Sequence, residues 1–246
     1  MTTNYTKVIE FHEAFGLDIN DILTDTILEN KQLVNLRINL INEEIEELTE
    51  AYNNNDFTEV RDAIGDIIYV INGMGVSFGI NIDKYYCDVF NLTYKVNSIY
   101  ENVKKKYTNI KLVNTDNLFN NKYLINRINK IFNKLKNDIL HKKKYDIKKY
   151  TIHLLEQVYL IGILFNINVD NDFDLIHKSN MSKLCKDENE AIKTVNSYIL
   201  KYTNNKSPYD TPNYRLSDNK KYYVVYNKSS GKILKSINYS PVDLSI

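Results

Sequence analysis

Apolar residues recur every three or four positions along most of the chain, which is the spacing of one face of an α-helix. Few residues interrupt this pattern, because the chain contains only three prolines and seven glycines. The periodic segments predict helices at residues 4–15, 31–53, 57–78, 84–96, 123–140, 146–165, 170–184 and 188–202. The pattern therefore predicts an all-α fold.

Capping residues mark several of the helix ends. Asp56 lies three residues before Glu59, a capping-box spacing that begins a helix, and Asp83 is a suitable N-cap for the following helix. Gly16 and Gly79 follow helical segments, where glycine commonly terminates a helix. The polar segments 17–30, 107–121 and 203–219 predict loops.

Two blocks of the sequence match at an offset of 87 residues. Residues 78–83 read F-G-I-N-I-D and residues 165–170 read F-N-I-N-V-D, and the I-N pair at 41–42 returns at 128–129. The apolar positions between the blocks also agree without a gap. We interpret this match as an internal duplication that fuses two copies of one unit into a pseudo-dimer, rather than as a chance alignment of similar helices.

The last part of the chain lies outside both copies. Residues 221–226 and 232–236 flank a polar turn that ends in Gly231, which predicts a small β-hairpin followed by a tail. The predicted organisation is a first repeat at 1–106, a degenerate second repeat at 107–184, and a C-terminal helix, hairpin and tail at 185–246.

Six acidic residues are spaced so that two consecutive helices present carboxylates to each other. They are Glu43, Glu44 and Glu47 in the first helix, and Glu59, Asp62 and Asp66 in the second. Because the connecting turn is short, the helices are antiparallel neighbours and the acidic faces can meet. Crowded carboxylates resist ionisation unless a cation joins them, and hard divalent cations prefer oxygen ligands. Two such ions could bind a triphosphate, polarise a phosphoryl group and generate a hydroxide.

A solvated acidic helix face is the alternative interpretation of these acids. It fits the glutamate-rich first helix taken alone, because surface helices often carry many glutamates. It fits the second helix less well, because Asp62 and Asp66 lie among isoleucines in a segment that is expected to be largely buried.

The pattern E-E-x-x-E followed by E-x-x-D resembles the signature of the all-α nucleotide pyrophosphohydrolase superfamily, which includes MazG-like enzymes, dimeric dUTPases and phosphoribosyl-ATP pyrophosphohydrolase. Other segments resemble the phosphoribosyl-ATP-pyrophosphohydrolase-like branch. They are residues 11–16, Leu36 with Arg37, residues 78–83, the S-N-M-S-K-L run at 179–184, and the tail segments 231–235 and 238–243. The resemblance covers about 5–96, 145–184 and 231–244.

The resemblance implies a MazG-like helical bundle that hydrolyses nucleoside triphosphates, with dUTP among the candidates, to monophosphate and pyrophosphate. It implies Mg²⁺ as the cofactor, with Mn²⁺ as an alternative. The implied catalytic residues are Glu43, Glu44 and Glu47, and the implied metal ligands are these three with Glu59 and Asp62. The candidate substrate-binding residues are Arg37, Asp66, Asn180, Lys183 and Lys235, of which Asn180 and Lys183 would contact phosphate.

The two repeats differ in the residues that carry this chemistry. In the second repeat Lys130, Ile131, Lys134 and Lys149 stand where the first has Glu43, Glu44, Glu47 and Asp62, and only Asp146 keeps an acid, at the position of Glu59. The first repeat in turn lacks the S-N-M-S-K run. Because gene fusion frees one of two equivalent dimer sites to decay, we hypothesise one composite site, in a monomeric pseudo-dimer or in a homodimer of such chains.

Composition adds constraints on partners. Lys and Arg number 32 and Asp and Glu 31, so the net charge of +1 gives no general attraction to nucleic acid or membranes, and neither is an expected partner. We expect no signal peptide and no transmembrane segment, because no apolar stretch is long enough. Cys87 and Cys185 lack metal-site spacing, which favours a reducing, cytoplasmic location.

Two other functions stay open. Phosphoribosyl-ATP is a second enzymatic candidate substrate, and the chain could also be a non-catalytic helical nucleotide-binding or interaction module that retains the fold. The complete acidic set of the first repeat favours an enzyme, because a module without activity is free to lose such residues.

The composite site yields a test at Lys183. If the second repeat supplies the contacts to phosphate, Lys183→Ala should lower turnover of the nucleotide substrate, because an ammonium group that stabilises the phosphate chain is removed. Steady-state kinetics of the purified variant measure this effect. Unchanged turnover would contradict the composite site.

Overall fold

The computed structural model describes residues 2–90, 92, 98–107, 119, 122–218 and 220–244. These residues contain ten helices and one two-stranded sheet. The helices are α1 (Asn4–Phe15), α2 (Asp25–Glu29), α3 (Lys31–Asn54), α4 (Phe57–Phe78), α5 (Ile82–Val89), α6 (Ile99–Lys106), α7 (Tyr123–Leu140), α8 (Lys144–Leu164), α9 (Val169–Met181) and α10 (Glu188–Thr203). The strands are β1 (Pro212–Leu216) and β2 (Tyr223–Asn227). The predicted all-α class with a small C-terminal hairpin is confirmed.

The described residues divide into two compact units. The first comprises residues up to Ile9, Asp18–Asp174 and Leu244, and the second comprises Glu10–Leu17 and Leu175–Asp243. These units are defined by contacts in space, whereas the boundaries predicted at residues 106 and 184 divide the sequence into repeats. The predicted division therefore stays a prediction.

Helices α3 and α4 form the first helical hairpin of unit one. Asn55 adopts a left-handed conformation with φ of 55°, which reverses the chain direction within a two-residue turn. The side chain of Asp56 then accepts a hydrogen bond of 3.1 Å from the backbone N–H of Glu59, as the predicted cap requires. Fully buried apolar side chains, among them Leu48 on α3 and Ile67 on α4, hold the two helices together.

Helices α7 and α8 repeat this geometry 87 residues later. Lys142, at the position equivalent to Asn55, is also left-handed, with φ of 53°. Gly79 and its equivalent Asn166 end the second helix of each pair with φ values of 71° and 56°. These agreements support the internal duplication, which stays a prediction about the origin of the chain.

The equivalent helices α4 and α8 pack against each other inside unit one. Each is followed after a sharp bend by a shorter helix, with angles of 98° for α4 and α5 and 111° for α8 and α9. Across the described part of the chain, no single helix combines the length and apolar character needed to span a membrane, although both bent pairs meet those two criteria when taken together.

Some helix boundaries differ from the prediction. The predicted loop at 17–30 contains helix α2, whose first turn is stabilised by the side chain of Thr24 accepting from the N–H of Ile27 at 3.3 Å. Helix α5 is capped by Asn81 rather than Asp83, and it ends at Val89. Its predicted extension through 93–96, and most of the predicted loop at 107–121, lie outside the described residues. Helix α6 follows without having been predicted.

The hairpin pairs different segments from those predicted. The predicted first strand, 221–226, corresponds to the second strand β2. Strand β2 pairs with 212–216, which lies in the segment predicted as loop, whereas 232–236 contributes only a single bridge from Ile233. The physical reason is the side chain of Asn227. It accepts from the N–H of Thr211 at 2.9 Å and donates to Asp210 at 3.1 Å, which fixes the register of β1.

The sharp bend after α8 makes Gly162 a sensitive position. A Cβ atom added there would overlap the Cγ2 atom of the buried Val169, and the equivalent Gly75 would place a Cβ 2.8 Å from Ile82 Cγ1. We expect Gly162→Ala to lower the free energy of unfolding by about 1–3 kcal/mol, because overpacking strains the core. Urea denaturation measures it.

A double-mutant cycle provides the control for this test. The cost of Gly162→Ala should shrink when Val169→Ala has already removed the overlapping methyl groups. An ordinary exposed helical glycine gains roughly 1 kcal/mol on replacement by alanine. A similar increase in the free energy of unfolding for Gly162→Ala would show that Val169 of α9 does not pack closely against Gly162.

Candidate active site

The six acidic residues identified in the sequence lie on α3 and α4, on both sides of the tight turn at Asn55. Three of them are exposed, namely Glu43, Glu47 and Glu59, and three are half-buried, namely Glu44, Asp62 and Asp66. The half-buried carboxylates lie close to the apolar contact between the helices. The exposed ones surround them on the solvent side.

Glu44 is the most perturbed of these acids. Burial raises the pKa of its carboxyl to about 8. The negative charges of four neighbouring carboxylates act in the same direction; in decreasing order of effect they are Asp66, Glu47, Asp62 and Glu43. Two of these four belong to α4, so the acidic faces of the two helices act directly on each other.

Asp62 is perturbed for the same reasons from the opposite helix. Burial raises the pKa of its carboxyl, and the charges of Glu59, Glu47 and Asp172 raise it as well. One carboxylate oxygen of each central acid, Oε2 of Glu44 and Oδ1 of Asp62, is buried without a hydrogen-bond partner. Buried polar atoms normally have such a partner, so each of these oxygens lacks a donor or a cation.

The chemistry of this oxygen-rich set fits a divalent cation. Mg²⁺ and Mn²⁺ prefer carboxylate oxygens, and a cation would both neutralise the crowded charges and satisfy the two buried oxygens. Within the described residues, however, no three acidic, histidine or cysteine side chains lie close enough together to hold an ion as they stand. Carboxylates that repel each other spread apart, so ion binding here requires a change of side-chain rotamers.

Arg37 lies on the same face of α3 as Glu44, two turns earlier and about 10 Å along the axis. Its side chain is buried, and its Nε–H has no hydrogen-bond partner. Burial lowers the pKa of the guanidinium to about 10, while the charge of Asp18 opposes this effect. A buried, incompletely bonded guanidinium suits a phosphate, but its predicted contact with substrate stays a prediction.

Two residues beside the acids were not identified from the sequence. Arg61 donates from Nε to Asp172 at 2.9 Å and from Nη2 at 2.7 Å, and its Nη1 donates to the carbonyl of Leu244 at 2.6 Å. Asp172 is almost completely buried, with its side chain 2% exposed. This bidentate pair joins α4 to α9 one residue from Asp62. Arg61 is visible inside the acidic motif, but nothing local points to a partner 111 residues away.

The S-N-M-S-K-L run and the tail motif belong to the second unit and contact each other. Ser179 donates to the hydroxyl of Tyr239 at 3.2 Å, and Lys183 donates to the side chain of Asn180 at 2.5 Å. Lys235 is exposed, with its ammonium 4.4 Å from the centre of the Tyr239 ring. The roles of these residues in substrate binding stay predictions.

An all-α fold with acidic residues in this pattern on two adjacent helices is typical of nucleotide pyrophosphohydrolases. Residues 8–91, which contain all six acids, match the family model for phosphoribosyl-ATP pyrophosphohydrolase. An uncharacterized protein of Acanthamoeba polyphaga mimivirus is 38% identical over 248 residues, which cover 95% of this chain and 91% of the relative. No solved structure matches.

The match over residues 8–91 places the chain in the MazG-like superfamily of all-α nucleotide pyrophosphohydrolases, to which the phosphoribosyl-ATP pyrophosphohydrolase family belongs. It is therefore a hydrolase that acts on phosphoric anhydrides. The family resemblance of the acidic motif is confirmed.

The raised pKa of Glu44 predicts how stability depends on pH when no divalent cation is present. An unfolded glutamate ionises near pH 4.5, whereas folded Glu44 keeps its proton up to about pH 8. Between these values the native state binds one more proton than the unfolded state, so stability should fall as the pH rises. Because Glu44 is partly solvated, we expect a loss of roughly 1–3 kcal/mol.

Chemical denaturation in EDTA between pH 5 and pH 8.5 measures this loss. Glu44→Gln should flatten the profile, because the amide does not titrate. Glu46→Gln, a substitution of an exposed glutamate on the same helix, should keep the slope of the wild type. Equal slopes for all three proteins would contradict the role assigned to Glu44.

Proposed function

We propose that this protein hydrolyses a nucleoside triphosphate to the monophosphate and pyrophosphate with Mg²⁺, and that dUTP and other deoxynucleotides are the first substrates to test. The buried, unpartnered oxygens of Glu44 and Asp62 carry the proposal, because each lacks a donor or cation within a crowded acidic cluster. Family membership supports the class of reaction. Metal dependence and the choice of nucleotide are parts of the proposal.

The acids of α3 and α4 would hold the cation. We assign Glu44 and Asp62 as the central ligands, because burial has already removed most of their water. Glu47 and Glu59 are exposed and can swing toward these two from either helix. A bound divalent cation supplies Lewis-acid polarisation of the phosphoryl oxygens and charge compensation during anhydride cleavage.

Other side chains would act on the substrate and on the proton of the attacking water. Glu43 is exposed beside Glu44 and is assigned to accept that proton. The charge of Asp66 raises the pKa of Glu44 more than any other charge does, and we place Asp66 near the substrate. Arg37 would neutralise part of the triphosphate charge with a buried guanidinium.

The number of sites follows from the second repeat. At the five positions equivalent to the metal ligands it carries Lys130, Ile131, Lys134, Asp146 and Lys149, so it offers one carboxylate in place of five. A single carboxylate does not replace the ligands of a divalent cation. We therefore propose one active site per chain, built on the acids of the first repeat.

Phosphoribosyl-ATP is the second candidate substrate. The family that residues 8–91 match is named for hydrolysis of phosphoribosyl-ATP, and that reaction also breaks a phosphoric anhydride bond. Both substrates present a triphosphate chain that loses pyrophosphate, so the acidic cluster serves either. The base and sugar contacts decide between them, and a direct comparison of rates separates the two proposals.

The decisive experiment is turnover of a substrate panel with Mg²⁺, in which pyrophosphate and orthophosphate are measured separately. We expect release of pyrophosphate, which Glu44→Gln/Glu47→Gln lowers by at least roughly 100-fold, because the cation loses two ligands. Glu46→Gln/Glu50→Gln is the matched control. It removes two exposed glutamates of the same helix that do not contribute to the raised pKa of Glu44.

Two results would overturn the proposal. One is release of pyrophosphate that persists unchanged in EDTA, since the carboxylates would then not act through a cation. The other is equal loss of activity in the two double variants, which would indicate an effect of α3 as a whole. A much higher rate with phosphoribosyl-ATP than with any deoxynucleotide would identify phosphoribosyl-ATP as the substrate in place of a nucleoside triphosphate.

A further inference from the structure

An open groove of about 760 Å³ lies between helices α7 and α8 within unit one. Its walls carry three lysines, Lys130, Lys134 and Lys143, together with four asparagines of α7 and the ring of Tyr150. The volume lies in the range of small-molecule sites. The groove therefore offers space and hydrogen-bond donors, and its lining residues are not part of the proposed active site.

The groove occupies the place that the acidic cluster occupies on α3 and α4. Lys130 and Lys134 stand at the positions of Glu43 and Glu47, and both helical hairpins turn through an equivalent left-handed residue. The same backbone arrangement thus carries carboxylates in one repeat and ammonium groups in the other. A geometry that presents oxygen ligands to a cation in the first repeat presents N–H donors to an anion in the second.

Two carboxylates, Asp138 and Asp146, line the groove together with the three lysines, so the lining carries a net charge of +1. Lys143 lies 3.4 Å from Asp138, whose side chain is 8% exposed, so these two charges compensate each other. Lys134 lies 3.5 Å from the hydroxyl of Tyr150 and 5.3 Å from the centre of its ring. Lys130 and Lys134 are one helical turn apart, about 6 Å, which lets both ammonium groups contact neighbouring phosphates.

We propose that the α7–α8 groove binds the diphosphate group of a nucleotide, or free pyrophosphate, without hydrolysing it. The lysines supply charge, and the exposed amides of Asn126, Asn133 and Asn137 supply neutral donors to the phosphate oxygens. The lining side chains of α7 run from Asn126 to Asp138, about 18 Å, which matches one nucleotide and is short for a polynucleotide track. Hydrolysis is not expected, because Asp146 alone remains of the acids.

Isothermal titration of the full chain in EDTA tests this site, because chelation removes the cation that the active site uses. We expect inorganic pyrophosphate and dUTP to bind, and dUMP to bind at least about 10-fold more weakly. Lys130→Ala/Lys134→Ala should weaken pyrophosphate binding at least about 10-fold. Lys31→Ala/Lys228→Ala, which removes two exposed lysines far from the groove in sequence, should bind like the wild type.

A second variant guards against misfolding. Lys130→Glu/Lys134→Glu places on α7 the residues that α3 carries at Glu43 and Glu47, so the helix should form, and binding of pyrophosphate should be lost. Titration in the Glu44→Gln/Glu47→Gln background should match the wild type, which separates this site from the active site. The proposal fails if the wild type does not bind pyrophosphate in EDTA, or if the groove variants bind it normally. Equal affinity for dUMP would overturn the assignment to a diphosphate.

Discussion

The structure of the acidic hairpin depends on one constraint: carboxylates from two helices are held close together, partly out of water, with too few donors around them. Glu44 and Asp62 each leave one oxygen buried and unpaired, and burial together with the charges of neighbouring acids raises the pKa of both carboxyls. Such an arrangement is unfavourable by itself, because desolvation and like-charge repulsion act in the same direction. It is retained where a cation relieves it, and for this reason the cluster is interpreted as a functional site.

The surrounding fold holds the two helices in place against this repulsion. Leu48 and Ile67 are fully buried between them, and the left-handed turn at Asn55 leaves little freedom in how the helices meet. The pair between Arg61 and Asp172 adds a bidentate connection from α4 to α9. Because breaking one side of a buried ion pair is costly, this pair holds Arg61, the neighbour of Asp62 in the sequence, against α9. Rigid helices with adaptable exposed glutamates, such as Glu47, suit a site that closes on its ion.

Much of the architecture could be predicted from the sequence, because it rests on local signals. Helical periodicity and capping residues such as Asp56 gave the helices and their order, and the spacing of the acids placed them on facing helices. The errors occur where distant contacts decide. The first strand of the hairpin is set by hydrogen bonds of Asn227 to residues 16 and 17 positions away, and Asp172 meets Arg61 across 111 positions. No local pattern records such contacts. Arg37 is a further case, because it is buried and the charge that acts on its guanidinium belongs to Asp18, 19 positions earlier in the chain.

The two helical hairpins show how little has to change for one geometry to serve opposite charges. Substitutions at Glu43 and Glu47 to the lysines found at 130 and 134 leave the helix, the turn and the apolar contacts intact, because these positions point away from the core. Glu44 differs from these two positions, because it is half-buried and its equivalent in the second hairpin is the apolar Ile131. Loss of the central carboxylate removes the strain that a cation relieves, so the second hairpin has no requirement for a metal. The second hairpin therefore keeps the backbone geometry of the first and carries lysines at two of its exposed positions, which is the arrangement that the proposed diphosphate site uses.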